Sequence, residues 1–293
     1  MTKFSMDVMT NILRKKYGIT AAYYIDKLCV YFDSTVNLEQ LKKFKGDHED
    51  NDVYYVSLPH HPQYNKKIEL YRPSQEVIEL LNTFVLDTRA DYIIQYVEFA
   101  FDLRTKDKAV LQKLRKFFDQ HFAVFSGRTL YEFTKIEGTS YYNIAPKKTV
   151  VIYNDVEYRK HPTKLSLHFE YRLKSIEEVK SIGVYEIEHL VKFDHNNFWS
   201  EHMTLYKPDY GKLGEYKTEI DSACPSKFKM TKVQNGYSLR WKIVKGKNVW
   251  RNVIEILQET LHEQSANCLH KKKCIDRMTT GEAFTRALAE VFG

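Results

Sequence analysis

Two stretches of this chain alternate apolar and polar side chains with a period of two, which fits strands of a half-buried sheet and excludes amphipathic helices. In Tyr96-Val-Glu-Phe-Ala-Phe-Asp-Leu-Arg104, Val97, Phe99, Phe101 and Leu103 share one face, while Glu98, Ala100, Asp102 and Arg104 share the other. In Leu165-Ser-Leu-His-Phe-Glu-Tyr-Arg-Leu173 the apolar face is Leu165, Leu167, Phe169, Tyr171 and Leu173, and the polar face is Ser166, His168, Glu170 and Arg172. Any fold must give each stretch a core on one side only.

Other segments extend the pattern. Strands are expected at Tyr24 to Asp33, Lys66 to Tyr71, Ile93 to Leu103, Thr129 to Ile136, Lys148 to Tyr153 and Lys164 to Leu173. Helices are expected at Leu38 to Phe44 behind an Asn37 cap, Gln75 to Phe84 behind Ser74, Lys106 to His121, Ile176 to Phe193, Val249 to Gln264, and Thr280 to Phe292 behind a capping box running from Thr279 to Glu282. Strands and helices alternate and then strands run together, which gives an α+β class with a largely antiparallel sheet. With 293 residues, 43% of them hydrophobic, the chain can bury a large core and is not a disordered tail protein.

The longest mostly apolar run, Tyr92 to Leu103, is broken by Gln95, Glu98 and Asp102, far short of the roughly 20 apolar residues a membrane span needs. Near the start, Arg14, Lys15 and Lys16 follow the apolar residues, the reverse of a secretory signal. A cytoplasmic protein that makes no use of a membrane is therefore expected. Four cysteines, Cys29, Cys224, Cys268 and Cys274, form no C-x-x-C pair, and reduced thiols fit them best. His262, Cys268, His270 and Cys274 cluster, but their spacing matches no common zinc pattern. His60-His61, between Pro59 and Pro62, reads as a surface turn.

If the two alternating strands are neighbours, Glu98, Asp102, His168 and Glu170 can converge as hard oxygen and nitrogen ligands for Mg²⁺ or Mn²⁺. From pattern alone, a solvated polar face is the plainer reading. A second feature is a window from Ser222 to Ile254 with no acidic residue. It holds eight cations, Lys227, Lys229, Lys232, Arg240, Lys242, Lys245, Lys247 and Arg251, interleaved with Phe228, Tyr237, Trp241 and Trp250. Cations neutralise phosphates and aromatic rings stack on unpaired bases, so nucleic acid is the favoured partner of this window. Phosphate-loop, dinucleotide and serine-hydrolase motifs are all missing from the sequence, so nucleotide hydrolysis has no support there.

Several segments, taken in order, resemble the replication initiators of filamentous phages, the gene II type of nicking protein, and related rolling-circle initiators. Tyr24-Ile-Asp-Lys-Leu-Cys-Val30 looks like the opening strand of that family, and Val97-Glu-Phe-Ala-Phe101 is similar to its Ile-Asp-Ala strand, with Glu98 at the acidic position. Thr139-Ser140 and the run Lys148 to Glu157 resemble its Thr-Ser and Tyr-x-Lys-x-x-Glu region. Leu167 to Lys174, running on to Ile182-Gly183, is similar to its Arg-Phe-Glu strand and following helix. The resemblance spans Ile25 to Leu190. It implies a rolling-circle-initiator-like sheet with helices packed on one face, Tyr153 as nucleophile, and a Mg²⁺ or Mn²⁺ ion served by Glu98 and Glu170; Asp102 and His168, on the same strand faces, are expected as helpers. Two positions depart: Asp155 stands where the family has Lys, and His168 where it has Arg.

The resulting expectation is a phage or plasmid rolling-circle initiator in a bacterial cytoplasm that nicks and rejoins origin DNA, single-stranded or supercoiled, through a 5′-phosphotyrosine link. Host helicase and polymerase would be its partners. Residues 1–210 would form the catalytic domain and 211–293 a basic DNA-binding region containing Trp241. A non-catalytic DNA-binding repressor or accessory protein, or an RNA-binding module, remains open on the residues alone. If the acid-free window grips the DNA backbone, reversing Lys242, Lys245 and Lys247 to Glu should weaken binding and flatten the slope of log affinity against log salt by about 0.9 for each phosphate no longer neutralised. An unchanged slope would mark the window as mere solvated surface.

Overall fold

The structure, a computed structural model, describes residues 5–45, 52–57, 63–123, 132–136, 139–145, 147–155, 165–208, 228–233, 236–241, 250–251 and 275–293. The strands are β1 (Thr20–Phe32), β2 (Asp52–Ser57), β3 (Lys66–Tyr71), β4 (Tyr92–Thr105), β5 (Phe122–Ala123), β6 (Glu132–Ile136), β7 (Thr139–Ala145), β8 (Lys148–Asp155), β9 (Leu165–Leu173), β10 (Thr204–Pro208), β11 (Phe228–Val233), β12 (Gly236–Trp241), β13 (Trp250–Arg251) and β14 (Ile275–Arg277). The helices are α1 (Met6–Tyr17), α2 (Leu38–Leu41), α3 (Gln75–Thr88), α4 (Lys108–His121), α5 (Ile176–Lys180), α6 (Ile187–Val191), α7 (His195–His202) and α8 (Gly281–Phe292). No helix among the described residues is long and apolar enough to cross a membrane.

Eight strands form one sheet in the order β2-β3-β1-β4-β9-β8-β7-β6, and every pairing in it is antiparallel. The α+β class expected from the alternating strands is therefore the class observed. The two alternating segments, β4 and β9, are direct neighbours at the centre. Their apolar faces carry the core: Phe101 lies 5.4 Å from Phe169, Phe118 of α4 meets Phe169 edge-on at 4.8 Å, and Phe198 and Trp199 of α7 pack at 4.9 Å on Phe99 and 5.8 Å on Phe101. On the same side Phe84 of α3 meets Phe32 of β1. Helices thus cover the apolar face of the sheet, and the polar face of β4 and β9 is turned away from them.

The ends of the helices follow from local chemistry. Ser5 Oγ accepts from the Val8 N–H to open α1, and Gly18, in the left-handed region at φ 65, closes it. Arg14, Lys15 and Lys16 occupy the last turn of α1, where cations complement the carbonyl end of the helix, so the basic cluster ends a helix that was not expected. The single helix expected from Ile176 to Phe193 is instead α5 and α6, because Gly183 takes φ 83 between them; Asp194 then caps α7 through the Asn197 N–H. The cap of α8 is Thr280 and not Thr279, which places Glu282 second in the helix, so the box expected from Thr279 to Glu282 does not form. Strand β13 occupies Trp250 and Arg251, where the helix expected from Val249 would have begun. The strands β2 and β7 were not expected either.

The last part of the chain returns to the main body. Strand β14 pairs with β10, which also pairs with β5, and Phe284 of α8 packs edge-on against Phe117 of α4 while Phe292 lies 4.2 Å from Tyr17 of α1. Residues 275–293, within the expected basic region, are thus built onto the residues before position 210. Because the Phe169 ring is fully buried and meets rings from β4 and α4, Phe169→Ala should lower unfolding stability by about 3–5 kcal/mol in a urea titration. Leu86→Ala, at a side chain 68% exposed, should stay within about 0.5 kcal/mol.

Candidate functional site

Cross-strand register brings the expected residues together. Asp102 lies opposite His168, Ala100 opposite Glu170 and Glu98 opposite Arg172, while on the far side of β9 Tyr153 lies opposite His168. His168 is the hub. Its Nδ1 is 2.6 Å from Asp102 Oδ1 and its Nε2 is 3.0 Å from Glu170 Oε1. Tyr153 donates its hydroxyl to the same Glu170 oxygen at 2.7 Å, and its ring centroid lies 4.7 Å from that of His168. Tyr24 of β1 closes the opposite side, its hydroxyl 3.2 Å from both Asp102 oxygens and 3.3 Å from His168 Nδ1. Asp102, His168 and Glu170 are all at most 2% exposed.

Buried charges of this kind need partners. Arg104 donates from Nη2 to Asp102 Oδ2 at 2.9 Å, and Arg172 donates from Nε to Glu170 Oε2 at 2.6 Å and forms an ion pair with Glu98, its Nε 3.2 Å from Oε1. Burial pulls the His168 pKa down, but hydrogen bonds and charge from Asp102 and Glu170 outweigh it and push the pKa up to about 10. Burial likewise works to raise Glu170, yet His168, Arg172 and Tyr153 bring it down to about 2. Asp102 is lowered against its own burial by His168 and Arg104. With both ring nitrogens facing carboxylates, His168 is an imidazolium.

One expected residue stands apart from this hub. Glu98 is held by Arg172 and by the Tyr96 hydroxyl, and its pKa is raised by burial and by the neighbouring Glu170 charge. Asp26 takes its place: single donor atoms of Asp26, His168 and Glu170 lie within 4.8 Å of one another. A bulge explains how. The β1–β4 register jumps between Ile25 and Lys27, so Asp26 is an extra residue on β1, set between positions paired with Phe99 and Glu98. The trace of this bulge is visible in the sequence, since the core residues Ile25 and Leu28 stand three apart where an unbroken strand would space them by two.

The basic window is described only in part. Lys229 and Lys232 lie in β11, Arg240 and Trp241 in β12 and Arg251 in β13, with Lys229 opposite Arg240 and Phe228 opposite Trp241. Lys227, Lys242, Lys245 and Lys247 lie outside the described residues, as do His262, Cys268, His270, Cys274 and the His60-His61 pair. Asp155 pairs with Ser166 at the end of β8. A scan against protein-family models gives no match for this chain, and a search of curated proteins gives none either.

These shifts imply a dependence of stability on pH. His168 has a raised folded pKa, so its stabilisation is complete below pH 6.5 and is lost as pH climbs toward about 10. Glu170 has a depressed one, so its stabilisation is complete above pH 4.5 and is lost as pH falls toward about 2. In chelator, the thermal midpoint should be highest between pH 4.5 and 6.5 and decline on both sides, and His168→Gln should remove the His168 part of the alkaline decline. A parent midpoint that stays level from pH 6.5 to about 10 would show that His168 is neutral in the fold.

Proposed function

We propose that this chain is a metal-dependent DNA nicking and joining enzyme in which Tyr153 is the nucleophile. The observation that carries the reading is the 2.7 Å hydrogen bond from the Tyr153 hydroxyl to Glu170, a carboxylate shared with the buried His168 and Asp102. A phenol with a pKa near 10 is a poor nucleophile at neutral pH and needs an acceptor for its proton. Glu170, kept ionised by its neighbours, accepts the hydroxyl's hydrogen bond and orients Oη, while the proton itself goes to water.

The donor set suits a hard divalent ion. Asp26 and Glu170 offer carboxylate oxygens and His168 an imidazole nitrogen within one small volume, a mixture compatible with Mg²⁺ and well matched to Mn²⁺. An ion there would have to displace the Nε2 proton of the His168 imidazolium; Asp102 would then hold the neutral ring from Nδ1 and leave the Nε2 lone pair for the ion, the carboxylate–imidazole–metal arrangement of many metal sites. When bound, such an ion polarises a non-bridging phosphate oxygen and stabilises the charge of the transition state. The rest falls to the protein. Tyr153 Oη, oriented by Glu170, forms a bond to phosphorus as the bond to the 3′ oxygen breaks; the phenolic proton is lost to water, and the departing 3′ oxygen takes a proton from water and leaves as a hydroxyl. The 5′-phosphotyrosine link keeps the phosphodiester energy for rejoining by the reverse path.

One observation favours a second reading, a non-catalytic nucleic-acid-binding protein. The acids Asp26, Glu98, Asp102 and Glu170 are matched by Arg72, Arg104, Arg172 and protonated His168, so the face is electrically balanced with no ion at all. Covalent capture separates the two. Incubated with single-stranded origin DNA and Mn²⁺, the parent should form a protein–DNA adduct that survives denaturation, and Tyr153→Phe should form none while still binding DNA. Glu170→Gln should slow adduct formation by about 10²–10⁴-fold. Adduct mapped to another tyrosine, or formed at full rate in excess chelator, would sink the assignment, and absence of adduct from the parent would favour the second reading.

A further inference from the structure

Exposed cations crowd one end of the central strands. The first residue of β1, Thr20, lies opposite Arg104 near the end of β4. Arg14, Lys15 and Lys16 fill the last turn of α1, just before Thr20, and Lys106 and Lys108 flank the start of α4, just after Arg104. All of these lysines and Arg14 are exposed, and no ion pair among the described residues engages them. Elsewhere, by contrast, Lys42, Lys147, Lys148 and Lys192 each meet a glutamate. Resting on the nucleic-acid partner that both readings above share, we propose that this rim binds the phosphate backbone of duplex DNA flanking the reacting phosphate.

Helix stability accounts for only part of the rim. Cations in the last turn of α1 complement its carbonyl end, but Lys106 and Lys108 stand at the amide end of α4, where positive charge is repelled and acids are preferred. The acid between them, Asp107, is committed to the backbone, its Oδ1 accepting from the Ala109 N–H at 2.7 Å and the Val110 N–H at 3.4 Å. Two lysines at that place weaken the helix, and a bound polyanion offsets the cost. Helix α8 holds the two halves of the rim together: Phe292 packs 4.2 Å from Tyr17 of α1, and Lys113 of α4 donates to the Phe292 carbonyl at 2.8 Å. The Tyr17 ring is thereby engaged by Phe292, so the rim suits phosphates rather than unpaired bases.

The rim is also within reach of the reacting group. Tyr153, His168 and Asp102 stand level across β8, β9 and β4, and Lys106 follows Asp102 along the chain just past the end of β4. At about 3.3 Å per residue along the strand and about 4.8 Å per strand across, Lys106 lies on the order of 16 Å from Tyr153, about five steps of B-DNA. A duplex that begins beside the phosphate at Tyr153 can therefore lay its backbone on the rim.

The test measures binding of the whole chain to a short fluorescein-labelled duplex of arbitrary sequence, by anisotropy over a range of salt concentrations. Lys106→Glu with Lys108→Glu should flatten the slope of log affinity against log salt by about 0.9 for each phosphate no longer neutralised, and Lys15→Gln with Lys16→Gln should flatten it as well. The first pair guards against misfolding, because glutamate suits the start of α4 better than lysine, and its thermal midpoint should be no lower than the parent's. Lys174→Glu with Lys180→Glu makes the same change in net charge just past the other end of β9, near Glu177, and should leave the slope as it is. If the rim pairs keep the parent's slope, or move it no more than this control does, the rim is overturned while DNA binding stands. If the parent does not bind the duplex at all, the rim and the nucleic-acid partner fall together, and the adduct assay judges the nicking reading separately. Binding to phosphatidylserine vesicles that is lost in the rim pairs, with their DNA slope unchanged, would overturn the proposal by assigning the rim to a lipid surface.

Discussion

The register between β4 and β9 is the constraint on which the rest depends. Phe99, Phe101, Phe169 and Tyr171 point into the helices only because Asp102 meets His168 and Ala100 meets Glu170 across the strands. A slip of β9 by one residue would drive His168 and Glu170 into the aromatic core and expose Phe169 on the far face. Aromatic packing and polar convergence are therefore two readings of a single alignment, and neither can be adjusted without the other.

That alignment carries an electrostatic cost which the face itself offsets. Four acids and their cations occupy adjacent positions on β1, β4 and β9 and just past the end of β3, several of them nearly out of reach of water. Replacing one member with an uncharged residue leaves its partner buried and uncompensated, which is why breaking such a pair is more damaging than never having built it. Tyr24 of β1, reaching across β4, and Tyr153 of the neighbouring β8 brace His168 from either side. A preorganised set of this kind needs little rearrangement to meet a charged ligand.

Much of this was legible in the sequence. The alternation of Tyr96 to Arg104 and Leu165 to Leu173 gives the faces, and Asp102, His168 and Glu170 converge as that pattern suggests, whereas Tyr153, which joins them from β8, is marked out only by the resemblance. What escaped was what alternation cannot encode. Asp26 joins the cluster through a bulge, which shows only as a three-residue gap between Ile25 and Leu28, and Glu98 sits on the right face but is drawn off by Arg172 and Tyr96. Arg72 reaches the site from a strand end by way of a left-handed backbone, a conformation that no propensity for arginine announces. Helix α1 and strands β2 and β7 carry too little alternation to stand out, and Gly183 split one expected helix into two.

Ala100 has a role that its burial conceals. It is fully enclosed, yet it does not belong to the hydrophobic core, because its methyl points to the opposite face between Tyr24 and Glu170. As the smallest side chain in that row, it lets the longer groups of β1 and β9 meet above it, as the Tyr24 hydroxyl does with His168 Nδ1. The tolerance of this position to substitution is thus set by the room its neighbours need. A bulkier apolar residue, harmless by any measure of hydrophobicity, would prop the two sides of the site apart.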